Sequence, residues 1–301
     1  MAVEFAEIKL SVPWGHVAAR TYGSSTGQPI LVLHGIEDNA GAFTRLMKYL
    51  PKKSFYYVCV DLPGHGWSSS FPSWMMIDWM DYAHSLYFIL DALQWKTCTV
   101  LGHSLGGQTA LMFSIFQPDR FEKIISIDGL LMMPRLVKDL VTYFQTASAL
   151  SVKDYREKFN KKPSLFTKEE ILHSLTSKRY TPLNYEAANA IFERTVTEEN
   201  GKYIHNRDVR LKNHPFSWML MDESIKLSER LPMIPIYVFV ASHGVCAPFK
   251  EECELILDIM KAKTMLEVIY VDGNHDVHNN DPEKVAPFIC KILNSSNSSK
   301  L

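Results

Sequence analysis

Short apolar runs without polar alternation recur along this chain, each followed by a helical pattern. "PILVLHG" (29–35), "YYVCVDL" (56–62), "CTVLGH" (98–103) and "KIISID" (123–128) alternate with "AGAFTRLMKYL" (40–50), "WMMIDWMDYAHSLYFILDAL" (74–93) and "SLGGQTALMFSIFQ". A strand that faces water on one side alternates in polarity, whereas a strand apolar throughout must be covered on both faces. With helices between such strands, the pattern predicts a mostly parallel sheet with helices on both faces, an α/β fold. The third helix is expected to stop at Pro118, which cannot continue a helix.

Between residues 130 and 231 the strand-like runs stop and helical periodicity takes over, as in "TKEEILHSL". Strand signals return at "PIYVFVA" (235–241) and "LEVIYVDG" (266–273), and "PEKVAPFICKIL" supplies a closing helix. The expected organisation is a core made of 1–129 and 232–293, a helical insertion at 130–231, and a polar tail at 294–301. The 301 residues are 47% hydrophobic and 22% charged, enough apolar material for a large core. A net charge of −1 gives no electrostatic reason to expect nucleic acid or an anionic membrane surface as partner. No run approaches the 18 or so apolar residues of a membrane span. The five cysteines are scattered without metal or dithiol spacing, and the N-terminus lacks the basic and apolar segments of a secretory signal. A reducing compartment follows.

Gly102-His103-Ser104-Leu105-Gly106 fits the G-x-S-x-G nucleophile elbow, with a strand before it and a helix after it. A serine on so sharp a turn needs minimal side chains on either side, and the helix N-terminus behind it favours developing negative charge. A plain glycine-rich strand-to-helix turn is the other reading of the same residues. His34-Gly35 ends an earlier strand, so the N–H of Ile36 and the N–H of Leu105 are candidates for a two-donor oxyanion hole. Losing one such donor typically costs about 3–4 kcal/mol of transition-state stabilisation. The general base is expected after the last strand, where "VDGNHDVHNN" offers His275 just past a turn and His278 three residues on. His275 is the candidate base and His278 an anchor for the loop.

"LVLHGIEDNAGAF", "VDLPGHGWSS", "LGHSLGG" and "VDGNHDVH" together resemble the α/β-hydrolase fold family, in its usual order and across nearly the whole chain outside the insertion. "VPWGHVAAR" and "NRDVRL" further resemble the serine hydrolase-like (Kraken-type) proteins of animals. The resemblance implies Ser104 as nucleophile, His275 as base and 130–231 as a cap over the site. Related epoxide hydrolases and dehalogenases carry aspartate at the elbow, so serine implies acyl transfer. The family's acid commonly follows the strand after the cap, but here "VFVASHGVCAPF" places Gly244 at that position. Asp128, ending "KIISID", is the candidate replacement; capping of the next segment is its alternative role, and Asp61 is the competing acid. Asp272 and Asp276 are too close in sequence to His275 to face its ring.

These readings predict a serine hydrolase that cleaves a carboxylic ester, thioester or lactone through an acyl-enzyme on Ser104, with no metal or organic cofactor. A ligand-binding pseudoenzyme and a lyase-type reaction on the same residues are the alternatives. Met132, Met133, Phe144, Phe216, Trp218, Met219 and Met221 in the cap suit an apolar acyl group. Ser299-Lys300-Leu301 matches the peroxisomal signal, so the peroxisomal import receptor is an expected partner and the peroxisome the expected location, with the cytoplasm as the alternative.

Overall fold

The structure is a computed structural model that describes residues 4–75, 77–131, 162–213 and 221–295, with 145, 148–150, 152–153 and 156. Met132, Met133, Phe144, Phe216, Trp218, Met219 and the terminal Ser299-Lys300-Leu301 lie outside the described residues.

Two strands that the unbroken-run pattern passes over open the fold. β1 (Ala6–Val12) and β2 (Gly15–Tyr22) form an antiparallel hairpin at one edge of the sheet. β1 is an exposed edge strand, with only Leu10 and Val12 fully buried, so a search for continuous apolar runs does not register it. β3 (Gln28–Leu33) and β4 (Phe55–Val60) follow. The helix expected over 40–50 is instead two short 3-10 turns, Ala40–Phe43 and Leu46–Lys48. The Asn39 side chain accepts from the Gly41 N–H and closes the first turn, while Ala42, Phe43, Leu46 and Met47 fill the core beneath. Apolar spacing here reports burial, and local capping sets the tighter geometry.

α1 (Trp79–Ala92) starts where Asp78 and Asp81 form a reciprocal capping box. Next come β5 (Cys98–His103), α2 (Leu105–Phe116) and β6 (Phe121–Ile127). After β6 the described chain forms α3 (Lys168–Ser177), α4 (Tyr185–Thr195), the strands β7 (Val196–Glu199) and β8 (Lys202–His205), and α5 (Met221–Ser228). The segment 130–231 is therefore not helical throughout. Asn200 and Gly201 both take positive φ, 53° and 76°, the primed-turn geometry that joins two-residue hairpins. That Asn-Gly pair is the signal that identifies the β7–β8 hairpin. β9 (Pro235–His243), α6 (Lys250–Lys263), β10 (Met265–Asn274), the single turn α7 (Val277–Asn280) and α8 (Ala286–Asn294) complete the chain.

The main sheet has the order β1-β2-β4-β3-β5-β6-β9-β10, parallel from β4 to β10. Successive residues of a strand point to opposite faces. Accordingly Leu31, Leu33, Val58, Val60 and Val100 join one core with α1 and α2, while Ile30, Val32, Tyr57, Cys59 and Leu101 join the other with α4 and α8. Each fully buried leucine or isoleucine contributes about 1.5–3 kcal/mol. Two cores need strands that are apolar on both sides, which is the pattern the sequence carries. Among the described residues no helix is long and apolar enough to cross a membrane.

Candidate active site

Parallel strands all end on one side of the sheet, and loops there converge. β3, β5, β6 and β10 carry Ile36, Ser104, Asp128 and His275 just past their C-terminal ends. Ser104 holds φ 49° and ψ −118°, a conformation that L-residues rarely adopt. Its N–H donates to the Ile127 carbonyl at 3.0 Å, which fixes the turn against β6. A Cβ at Gly106 would stand 2.3 Å from the Leu33 carbonyl oxygen, and one at Gly102 would stand 2.5 Å from the Gly107 nitrogen. Small residues at both places let the elbow close.

The loop after β3 runs alongside. A Cβ on Gly35 would come within 3.2 Å of the Ser104 Cβ, so the Gly35-Ile36 backbone lies against the serine. Leu105 opens α2, where the first N–H groups have no partner within the helix.

His275 and Asp128 meet directly. The His275 Nδ1–H donates to Asp128 Oδ2 at 2.5 Å, and the carboxylate is buried. Asp128 also accepts from the Ala241 N–H at 3.0 Å and the Val245 N–H at 2.9 Å. β9 lies between β6 and β10, and its end thus supplies two backbone donors to a carboxylate borne by its neighbour. Gly244 sits on top of that carboxylate: a Cβ there would be 2.2 Å from each Asp128 oxygen. The side chain of Asp128 fills the space that a residue at 244 would need. Burial lowers the His275 pKa, but the hydrogen bond and charge of Asp128, with Asp276 and Asp38, outweigh it and hold the pKa above the ordinary imidazole value.

Asp61 lies elsewhere. It accepts from the Ala40 and Trp67 N–H groups at 2.7 and 2.8 Å and pairs with Arg194 Nη2 at 2.6 Å, both side chains buried. Asp272 is exposed and pairs with Lys284. His278 is fully buried, its ring 4.0 Å from that of His103 and 4.9 Å from that of Phe43. Burial and the neighbouring His103 push its pKa well below the usual value, so it stays neutral beneath the loop.

Residues with no spacing signal complete the surroundings. His103 Nε2 lies 2.9 Å from the His275 carbonyl oxygen, and burial lowers its pKa to about 3. A neutral ring facing a carbonyl carries its proton on Nε2, so Nδ1 is left with a bare lone pair. Asp38, His103 and Asp276 each offer a ligand atom, all within 4.8 Å of one another, as a small metal site would. The charge between the two carboxylates is already supplied by Arg179, whose guanidinium donates to Asp38 at 2.6 Å and to Asp276 at 3.3 Å.

Strand order, elbow and the loops at the strand ends define a class, the α/β hydrolases. The alpha/beta hydrolase fold family model matches residues 28–203, and the chain belongs to that family. It is similar to serine hydrolase-like protein 2 of Homo sapiens, 32% identical over 96% of this chain and 94% of the relative. A serine hydrolase-like protein of Danio rerio is 29% identical over 96% of this chain and 88% of its own. Among solved structures, the thioesterase domain from the curacin biosynthetic pathway superposes with a TM-score of 0.79 at 16% identity, covering 95% of this chain and 99% of that one. At that identity the likeness is one of fold.

Proposed function

We propose that the protein is a serine hydrolase that cleaves a carboxylic ester, thioester or lactone with an apolar acyl group. The reading rests on one observation, the 2.5 Å bond from His275 to buried Asp128 beside a strained serine elbow. With Nδ1 bonded to Asp128, His275 presents Nε2 as the base for Ser104. Oγ attacks the carbonyl carbon and its proton passes to Nε2, while the N–H groups of Ile36 and Leu105 receive the developing oxyanion. Nε2 then protonates the departing alcohol or thiol. Water, deprotonated by the same nitrogen, adds to the acyl-enzyme; the C–Oγ bond then breaks, Nε2 returns its proton to Ser104 Oγ, and the acid is freed.

The segment between β6 and β9 acts as the cap in this reading, and the import receptor that reads Ser299-Lys300-Leu301 is the proposed protein partner. A ligand-binding role without turnover loses the observation that motivated it, since a carboxylate does reach the histidine. A fluorophosphonate probe tests the proposal, because it reacts only with an activated serine. Wild-type protein is expected to label at Ser104 and to hydrolyse p-nitrophenyl acyl esters, and Ser104→Ala to do neither. Undiminished hydrolysis by Ser104→Ala refutes the assignment.

A further inference from the structure

Arg179 follows α3 in the segment between β6 and β9, yet it reaches two loops of the main sheet at once. Its guanidinium donates to Asp38, two residues past Ile36, and to Asp276, the residue after His275. Thr181 adds a hydroxyl donor to Asp276 at 2.5 Å. Pro182 accepts from Asn274 and Asn280, and the Asn184 N–H donates to Asn280. Residues 179–184 are thus stitched along the whole histidine loop; Arg45, whose guanidinium donates to the Asn279 and Asn280 carbonyls, holds its far end, and Arg179 is the cation paired with its Asp276 carboxylate.

We infer that Arg179 is a positioning residue for Ser104 and His275, clamping the Ile36 loop to the His275 loop and offsetting part of the charge that Asp38 and Asp276 exert on the imidazole. The inference rests on the hydrolase reading above. His275 meets Asp128 from β6, Asp38 from the loop after β3, His103 from the elbow, and Asp276 and His278 from its own segment. His103 and His278 are neutral through burial. The charges that act on the imidazole come from three carboxylates, two of which, Asp38 and Asp276, are paired with Arg179. Without the guanidinium, Asp38 and Asp276 act on the imidazole uncompensated and hold its proton more tightly. Nearby charges of this kind shift a buried group by about one unit or more.

The test is the titration of His275 by NMR on histidine-labelled full-length protein, assigned by the signal lost in His275→Gln, beside the pH profile of probe labelling. Arg179→Met is expected to raise the His275 pKa and the acid limb of labelling by about one unit. Asp276→Asn, which leaves Arg179 in excess, is expected to shift both downward. Arg179→Lys keeps the charge and is expected to titrate near wild type, although it cannot fork to both carboxylates and loses labelling rate. A merely structural clamp predicts lower thermal stability with an unmoved titration. An unchanged His275 pKa in Arg179→Met, or shifts of one sign in Asp276→Asn and Arg179→Met, overturns the inference. If Arg179→Met fails to fold, Arg179→Gln, which keeps hydrogen-bond donors for Asp38 and Asp276 without the charge, carries the same expected upward shift, and an unmoved titration in it overturns the inference. The NMR reading needs no substrate, so a wild type that never labels defeats the hydrolase reading and leaves this measurement standing.

Discussion

Replacing Asp128 with asparagine removes one charge and changes almost no volume, so its consequences are local. The carboxylate accepts three hydrogen bonds, from Ala241 at Oδ1 and from Val245 and His275 at Oδ2. An amide has only one acceptor atom. With its oxygen toward Val245 and His275, the amide nitrogen opposes the Ala241 N–H. With the oxygen toward Ala241, the nitrogen opposes Val245 and turns His275 into the tautomer whose Nε2 cannot accept the serine proton. Either way one buried backbone N–H loses its acceptor, costing about 1–3 kcal/mol of stability. The larger effect is on turnover. In the serine-protease template the same change costs about 10⁴ in kcat through the wrong tautomer, which is ~5.4 kcal/mol of barrier at about 1.4 kcal/mol per decade. The pH profile moves too. His275 must be neutral to act, so activity in the wild type rises as pH climbs through a pKa held above 6.5 by Asp128. In Asp128→Asn burial prevails, and the acid limb is expected to fall below that value while the plateau collapses. Measuring kcat/KM on a p-nitrophenyl ester and the labelling rate from pH 4 to 9 reads both effects. Near-normal turnover with an unmoved acid limb would refute the assigned role of Asp128.

Gly244→Asp alone is expected to abolish labelling and lower the melting temperature, because its Cβ overlaps both Asp128 oxygens at 2.2 Å; Asp128→Gly combined with Gly244→Asp moves the acid to the vacated side and is expected to recover part of the labelling rate, a recovery whose absence would count against shared occupancy of this space. Asp61→Asn breaks the buried pair with Arg194, so a loss of about 3–5 kcal/mol in chemical denaturation is expected, with the acid limb of activity unchanged. Residues 290–301 fused to the C-terminus of a fluorescent reporter are expected to bring it to peroxisomes, and a diffuse reporter would remove the proposed location.

The sequence by itself determined the parallel part of the sheet and the serine elbow, because both rest largely on local rules. An unbroken apolar strand must be covered on both faces wherever it lies, and Gly102 before Ser104 is demanded by its close approach to Gly106 and Gly107, whereas the partner that demands Gly106 is Leu33 of β3. The Asn-Gly pair at 200–201 carries a hairpin signal, but the expectation of a helical insertion at 130–231 passes over it. The N-terminal hairpin was harder, since β1 at the sheet edge buries only part of one face and the buried Arg20 and Thr21 interrupt the apolar run of β2. What only the tertiary structure decided was the electrostatics of the base. Asp128 and His275 are 147 positions apart, and which carboxylate reaches the imidazole depends on β9 ending between them with two N–H groups turned toward Asp128. Arg179 is farther still from any pattern. It lies 141 positions from Asp38 and 97 from Asp276, and its charge matters only because burial removes the water that would otherwise screen all three. The Arg179 pairings obey distance and dielectric rather than periodicity, so nothing in the order of residues announces them.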